Sequence, residues 1–176
     1  MEYGKNFYVF KEDQDDNKIT IYLKSKPHET PCPTCGVLTR KLAATYHRTM
    51  QETPYCNKNV VLDITAYKYY CLNPKCKRKV FCEQLPFAGK NQVKTKSLYK
   101  FILLNSIYTS SNQSSITLSQ LGVKVGQETI QRIYSRLKFK DDPNIKYVGI
   151  DDISIKKGSK YATIVYELKA ANQRLC

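Results

Sequence analysis

Two pairs of cysteines constrain this chain more than any other feature. Cys32-Pro33-Thr34-Cys35-Gly36 sets two thiols a short turn apart, and Gly36 is free to take the positive φ that lets backbone amides point at sulfur. Cys71-Leu72-Asn73-Pro74-Lys75-Cys76 sets a second pair around an Asn-Pro turn signal, between the strand-like stretches Tyr67 to Tyr70 and Val80-Phe81. Two such hooks on either side of a β-rich spacer predict a tetrahedral four-sulfur site of the zinc-ribbon kind, with Cys32, Cys35, Cys71 and Cys76 as ligands. Zinc suits soft thiolates, and four protein ligands leave no open coordination position, so the expected role is structural.

Other uses of the cysteines stay open. They are seven in number, an odd count with no apolar signal core behind Met1 to Lys5, which favours metal or redox chemistry over a disulfide framework. Free buried thiols, or a redox pair in a thioredoxin-like unit, are the competing readings, although no βαβ pattern follows Cys35. Cys56 and Cys82 compete as ligands, and His47 is able to replace one sulfur. Cys82 is disfavoured because it lies across the Lys77 to Phe81 strand from Cys76, where a hook needs a turn. Cys176 is terminal and uninformative.

The formal net charge of +14 and a pI near 9.4 point to a polyanionic partner, because such a field steers the chain toward phosphate. A merely basic soluble protein, or one that visits anionic lipid, is the plainer alternative. The charge is concentrated: Lys68, Lys75, Lys77, Arg78, Lys79, Lys90, Lys94, Lys96 and Lys100 follow one another with only Glu83 opposing them. Tyr67, Tyr69, Tyr70, Phe81 and Phe87 are interleaved, yet alternating aromatics in strands more often pack than stack on bases, so none is singled out. No apolar run is long enough to cross a bilayer, and the expectation is an intracellular, cytoplasmic protein.

After Pro86-Phe87-Ala88-Gly89 the periodicity turns helical. Leu98, Phe101, Ile102, Asn105 and Ile107-Tyr108 form an apolar stripe, followed by a polar break at Thr109 to Ser115. The run from Ile116 to Ile133 then reads as a short helix, a Gly-containing turn and a second helix with Ile130, Ile133 and Leu137 on one face. Gly122 fits the left-handed position that ends the first helix, and Gly126 the N-cap of the second. If the second helix enters a major groove, Gln127, Glu128, Gln131 and Arg132 are the candidates for base edges, while Lys124, Arg136 and Lys138 neutralise phosphate. Bundles that never touch DNA share this spacing; the basic balance and the cysteine hooks tip the reading toward DNA.

The last segment, Lys146 to Leu168, reads as a β-hairpin joined through Lys156-Lys157-Gly158-Ser159. Asp151 is expected at or near the inner face of its strand, where a carboxylate is costly unless it binds metal or finds partners. An exposed Asp151-Asp152 turn at a strand end is the dull alternative.

Taken in order, Cys32-Pro33-Thr34-Cys35-Gly36, His47-Arg48, Tyr69 to Cys76, Val80 to Pro86, Leu121-Gly122-Val123, Thr129 to Arg132 and Gly149-Ile150-Asp151-Asp152 resemble the ISL-three family of bacterial insertion-sequence transposases. The resemblance runs from about Pro31 to Leu168. It implies an N-terminal zinc-binding domain, a helix-turn-helix, and a ribonuclease-H-like domain that holds divalent metal on two aspartates and a glutamate. Asp151 matches the first aspartate, and Lys156-Lys157-Gly158 with Tyr161-Ala162-Thr163 match the hairpin that follows it. Glu167 corresponds to an acidic residue of the second strand, and the two remaining acids have no counterpart within the chain. Two-metal phosphoryl transfer needs several carboxylates around both ions, so the expectation is either a truncated or decayed element or one whose remainder comes from another reading frame, catalytically silent as it stands, with magnesium relevant only to a complete catalytic domain.

The expected fold is therefore modular α+β. An N-terminal arm with a hairpin (Phe7 to Phe10, Ile19 to Leu23) occupies 1–25, a β-rich zinc ribbon 26–88, a helix-turn-helix 89–140, and the start of an incomplete ribonuclease-H-like domain 141–176, entered through Asp141-Asp142-Pro143-Asn144. The expected function is the DNA-binding portion of a transposase that recognises terminal inverted repeats on double-stranded DNA, with self-association open and no membrane partner. Two rivals remain: a stand-alone zinc-ribbon and helix-turn-helix transcriptional regulator, and a ribbon that binds RNA or protein. An inward Asp151 would favour the transposase over the regulator.

Overall fold

The computed structural model describes residues 3–137, 144, 146–156 and 160–167. They form two compact units, residues 1–137 and 138–176. The first is a five-stranded sheet carrying a short two-stranded hairpin and three helices; the second contains one antiparallel hairpin.

The sheet is organised around two long strands, β5 (Leu42–Tyr55) and β6 (Lys58–Tyr70), joined by a tight turn in which Cys56 and Asn57 both take positive φ (48° and 60°). Positive φ at both central turn residues matches the twist of the strands it connects. Pro54, which has no N–H to give to a ladder, falls where the register between Glu52 and Tyr55 shifts. β1 (Phe7–Gln14) and β2 (Lys18–Ser25) form an antiparallel hairpin, and β2 pairs in parallel with β6, so the strand order is β1-β2-β6-β5. The hairpin expected as a separate N-terminal arm is thus built into the sheet. Leu23 shows why: it is fully buried in the same core as Leu62 and Ile64.

Along β6 the buried side chains alternate at Val60, Leu62, Ile64 and Ala66, the period-2 pattern of a strand with one covered face. The alternation then slips by one residue and Tyr69 is buried instead. Opposite this point, between Leu42 and Ala44, β5 carries a register shift, and such bulges re-aim the side chains of a pair. One strand therefore feeds two cores. The larger gathers Phe7, Leu23, Met50, Leu62, Ile64, Ala66 and Leu85, with Phe87 meeting the rings of Tyr3 and Phe7 edge-on at 5.5 and 5.4 Å. The smaller contains Tyr69 and the cysteines.

Three helices follow: α1 (Lys96–Ser106), α2 (Ser111–Gln120) and α3 (Gln127–Tyr134). Each supplies part of a third core of Leu98 and Ile102, Leu118, and Ile130, closed by Val123 from the connection. The expected stripe of α1 holds at Leu98 and Ile102 but fails at Ile107 and Tyr108, which are exposed because the helix ends at Ser106. The polar break expected at Thr109 to Ser115 is mostly helix instead. Ser110 caps α2 by accepting from the Gln113 N–H, and Thr109 and Ser114 bond through their hydroxyls at 2.6 Å, so a serine-rich stretch is used as a helix start.

The helices are pinned to the sheet by a buried carboxylate. Glu52 on β5 accepts from the Thr95 hydroxyl (2.8 Å), the Thr53 hydroxyl (2.9 Å) and the Thr53 N–H (2.7 Å), while Thr95 caps α1 by accepting from the Leu98 N–H. Gly122 (φ +83°) ends α2 as expected, and a Cβ there would sit 2.8 Å from the Asn57 carbonyl oxygen in the β5–β6 turn. Lys94, from the cationic run, is a strut here. Its ammonium reaches the Gln51 side-chain carbonyl at 3.2 Å and the Lys124 carbonyl at 3.4 Å, and burial holds its pKa below the usual lysine range.

In the second unit β8 (Val148–Lys156) pairs antiparallel with β9 (Lys160–Glu167), with Asp151 opposite Ile164. The expected strands are there. The linker residues Asp141, Asp142 and Pro143, the turn residues Lys157, Gly158 and Ser159, and Lys138, Leu168 and Cys176 lie outside the described residues.

Candidate metal centre

Two hairpins deliver the four predicted thiols. The first is β3 (Thr30–Pro31) paired with β4 (Leu38–Thr39), whose loop holds Cys32 and Cys35. The Cys32 N–H donates to the Val37 carbonyl and the Gly36 N–H to the Cys32 carbonyl, both at 2.9 Å. Gly36 takes a φ of +75°, which closes the loop and directs the Thr34 and Cys35 N–H groups at the Cys32 sulfur. The second is the end of β6 with β7 (Val80–Cys82), whose loop holds Cys71 and Cys76. Here the Asn73 carbonyl accepts from the Cys76 N–H at 3.1 Å, and its side chain accepts from the Lys75 N–H at 2.9 Å, so the Asn-Pro step makes the turn the sequence signals.

The four sulfurs lie within 4.8 Å of one another. Cys32 Sγ is 4.0 Å from Cys76 Sγ, and Cys35 Sγ is 3.5 Å from Cys71 Sγ. A tetrahedron with Zn–S bonds of about 2.3 Å has edges of about 3.8 Å, so the donor set fits a zinc ion by both chemistry and spacing. The remaining candidates are elsewhere. Cys56 is exposed in the β5–β6 turn, Cys82 is exposed on β7, and His47 is exposed with Nδ1 3.2 Å from the Thr65 hydroxyl. A bound zinc would tie the two hooks together and, with four sulfurs around it, have no free position for a reactant.

The four thiols compete for protons. Burial pushes the Cys32 thiol up, but the N–H groups of Thr34 and Cys35 and the thiols of Cys71 and Cys35 together outweigh it and bring it down to about 6. Burial raises Cys71, and the neighbouring sulfurs of Cys35, Cys32 and Cys76 push the same way against the Asn73 N–H, to about 12. Four thiolates this close ionise together only around positive charge.

Sequence reasoning missed what surrounds the sulfurs. Tyr69 and Phe81 stack at 6.2 Å and pack with Cys32 and Cys76 in a buried cluster. Glu83, the lone acid of the cationic run, is buried and spent on structure: its oxygens accept from the Ser25 hydroxyl (2.7 Å) and the Tyr67 N–H (2.6 Å), and His28 Nδ1 lies 3.7 Å away. Its isolation among lysines was the available signal, since a solitary acid kept in such a run has a partner to hold.

The candidate DNA-contact residues sit on and around α3. Lys124, Gln127, Glu128, Gln131, Arg132 and Arg136 are all exposed, opposite the buried Ile130. Gly126 stands at the N-cap of α3 as expected. Arg132 is drawn along the helix toward Glu128, 3.6 Å away, and Gln131 donates to the Ser111 hydroxyl at 3.2 Å. Asp151 departs from expectation: it is exposed, as is Asp152, whose carboxylate accepts from the Thr163 hydroxyl at 2.8 Å. With Asp151 exposed, its burial no longer separates transposase from regulator.

Residues 28–84, which contain both hooks and the strands between them, match the zinc-finger family of the transposases IS204/IS1001/IS1096/IS1165. The chain is also 25% identical, over 170 residues, to the transposase for insertion sequence element IS1001 of Bordetella parapertussis; the match covers 94% of this chain and 40% of that protein. The chain thus spans well under half the length of this curated relative. No solved structure matches it. The zinc-finger match falls on the residues that bring the four sulfurs together, and the longer similarity continues through the helices, so the chain carries a zinc ribbon of the insertion-sequence transposase type and is similar to one such transposase along most of its length.

Proposed function

We propose that this chain is the DNA-recognition part of an insertion-sequence transposase, gripping the terminal inverted repeats of its element. The observation that carries the reading is α3. One side of this helix is anchored by Ile130 in the helical core, and the other presents Gln127, Glu128, Gln131 and Arg132 to solvent. Arg132 offers a bidentate match to guanine and Gln131 to adenine, and Lys124 and Arg136 flank them as phosphate contacts. The Glu128–Arg132 pair is exposed on both partners, and such surface pairs are worth about 0–1 kcal/mol, so a base edge can take Arg132 from Glu128 at small cost. The metal centre has no reacting role in this reading; it shapes the protein that carries the helix.

Asp151 is read as the first of the acids that hold magnesium in a complete ribonuclease-H-like domain. The other carboxylates needed for two-ion chemistry have no assigned counterpart among these residues, so strand transfer is not expected of this piece alone.

The test is a gel shift of the zinc-loaded chain on a duplex bearing the inverted repeats that flank its reading frame, against a scrambled duplex of equal length. Preferential binding to the repeats, weakening with salt and abolished by Gln131→Ala/Arg132→Ala, is the expected result. Equal binding to both duplexes, unchanged by that double substitution, would refute α3 as the reading element.

A further inference from the structure

One cavity belongs neither to the metal centre nor to α3. It has a volume of about 1020 Å³ and opens between the approach to β1, the first cysteine loop and the segment leading into α1. Lys5, Arg48, Arg78, Lys90 and Lys96 contribute to its lining, and the one acid there is Glu83. Glu83 forms no ion pair with any of them and offsets at most one of the five charges. Its side chain is fully buried, and both oxygens are taken by Ser25 and Tyr67.

The five cations divide into two kinds. Arg48 donates to the Gln92 carbonyl and Lys96 to the Pro86 carbonyl, so these two are held in place by neutral partners and keep their charge available. Lys5, Arg78 and Lys90 are exposed and form no ion pair among the described residues. A concave surface lined by one sign of charge focuses its field into the cleft, which raises the local concentration of anions far above that at a convex patch of equal charge. Beneath the rim the lining changes character: Phe7 and Leu85 are buried, and Tyr46 is covered enough that burial pushes its phenol up to about 12.

A cationic rim over an aromatic and aliphatic floor matches the two chemistries of a nucleotide, phosphate outside and base inside. Its size decides between paired and unpaired strands. Cavities of about 300–1,000 Å³ enclose small molecules; a duplex, whose bases are already stacked and paired, can lie across the rim but cannot put a base on the floor. We propose that this cleft is a second nucleic-acid site, taking a few nucleotides of an unpaired strand with their phosphates on Lys5, Arg78 and Lys90. It goes beyond the duplex-reading role given to α3, and none of the α3 candidates lines it.

Fluorescence anisotropy of the full zinc-loaded chain on a labelled single-stranded oligothymidine, and on a duplex of the same length, tests this. Lys5→Ala/Arg78→Ala/Lys90→Ala is expected to weaken single-strand binding about tenfold or more and to flatten its log–log salt dependence by about 2, at about 0.7 for each phosphate no longer neutralised. Duplex binding should fall far less, and Arg132→Ala should show the reverse preference. Lys5→Arg/Lys90→Arg, which keeps the charges, should bind single strands like the parent. Should the triple variant lose its circular-dichroism signature, Lys90→Glu alone takes its place, with the same single-strand selectivity required. Single-strand affinity that does not change, or that falls in step with duplex affinity, overturns the proposal. A failure of α3 to prefer inverted repeats would leave this contrast between strands unaffected, so the two readings fail separately.

Discussion

The sulfur cluster and the helical core are both small, and they are held together by opposite means. In the first, Tyr69 and Phe81 cover four thiols whose mutual repulsion as thiolates only a cation can offset. In the second, Leu98, Ile102, Leu118, Val123 and Ile130 meet as an aliphatic cluster, and apolar burial is the main force that holds three short helices. The contrast teaches that one compact unit can depend on two unrelated conditions, metal supply for its hooks and packing for its helices. Glu52 and Thr95 are where the two conditions meet, because β5 carries the acid and α1 begins at the threonine.

Metal removal should break the comparison hardest. Structural zinc contributes about 10–16 kcal/mol of apparent binding free energy in small sites, more than the total stability of many domains. Strong chelator, or Cys32→Ser, should therefore unfold the two loops at 32–35 and 71–76, with one zinc per chain released by elemental analysis. Amide exchange should show those loops opening first and the Leu98–Leu118–Ile130 core later. Proton competition gives the same result from another direction: ligand thiolates must be deprotonated, so zinc affinity falls as pH falls. A chain that purifies without metal and exchanges its amides at unaltered rates would remove the contrast altogether.

Leu118→Ala attacks the other side. Leu118 is fully buried, and truncating such a leucine costs about 2–5 kcal/mol, the spread reflecting how far the site collapses. Stability to urea should fall by that amount while zinc stoichiometry stays at one. A loss of zinc on this substitution would show that the helices and the hooks are a single cooperative element.

How much of this was legible in the residues follows the same division. The hooks were readable because metal ligation fixes residue type and spacing together, and Gly36 and the Asn73-Pro74 step announce the turns that present sulfur. Helix ends set by one small residue, at Gly122 and Gly126, were readable too. The long-range pairing was not: nothing in Lys18 to Ser25 says that it will lie parallel to Lys58 to Tyr70, because strand partners across dozens of residues are chosen by shared burial, here of Leu23 with Leu62 and Ile64. The buried roles of Glu52 and Glu83 escaped for the same reason, since their partners Thr95, Ser25 and Tyr67 are distant in sequence. The stretch from Ser110 to Ser115 misled because a polar run serves equally as a loop or as a capped helix start.

The joint between the two regions gives a smaller, sharper test. Thr95→Val removes a hydroxyl that both donates to Glu52 and caps α1, leaving a buried carboxylate oxygen with fewer donors. The expected cost is about 1–3 kcal/mol from the unsatisfied acceptor. Thr95→Ser, which keeps the hydroxyl, should recover most of it. In a double-mutant cycle with Glu52→Gln the two substitutions should be non-additive, because each removes part of the same bond. Additive costs would mean that the sheet and the helices are joined elsewhere, with Gly122 against the Asn57 carbonyl as the next point of close approach to probe.

Arg132→Ala is the smallest change for the fold and the most informative for function. Its guanidinium is mostly exposed and its ion pair with Glu128 lies at the surface, so stability should move by no more than about 0.5 kcal/mol. Duplex binding separates two roles for the same side chain. If Arg132 reads a base, the loss is about 1–3 kcal/mol on the preferred duplex and nearly absent on a scrambled one. If it sits on phosphate, affinity falls alike on both and the log–log salt slope drops by about 0.9. Because Ile130 fixes the helix from behind and Gly126 fixes where it starts, the side chain has little freedom to exchange one role for the other. A mixed outcome, partial loss on both duplexes with an unaltered slope, would mean that α3 lies across the groove rather than in it.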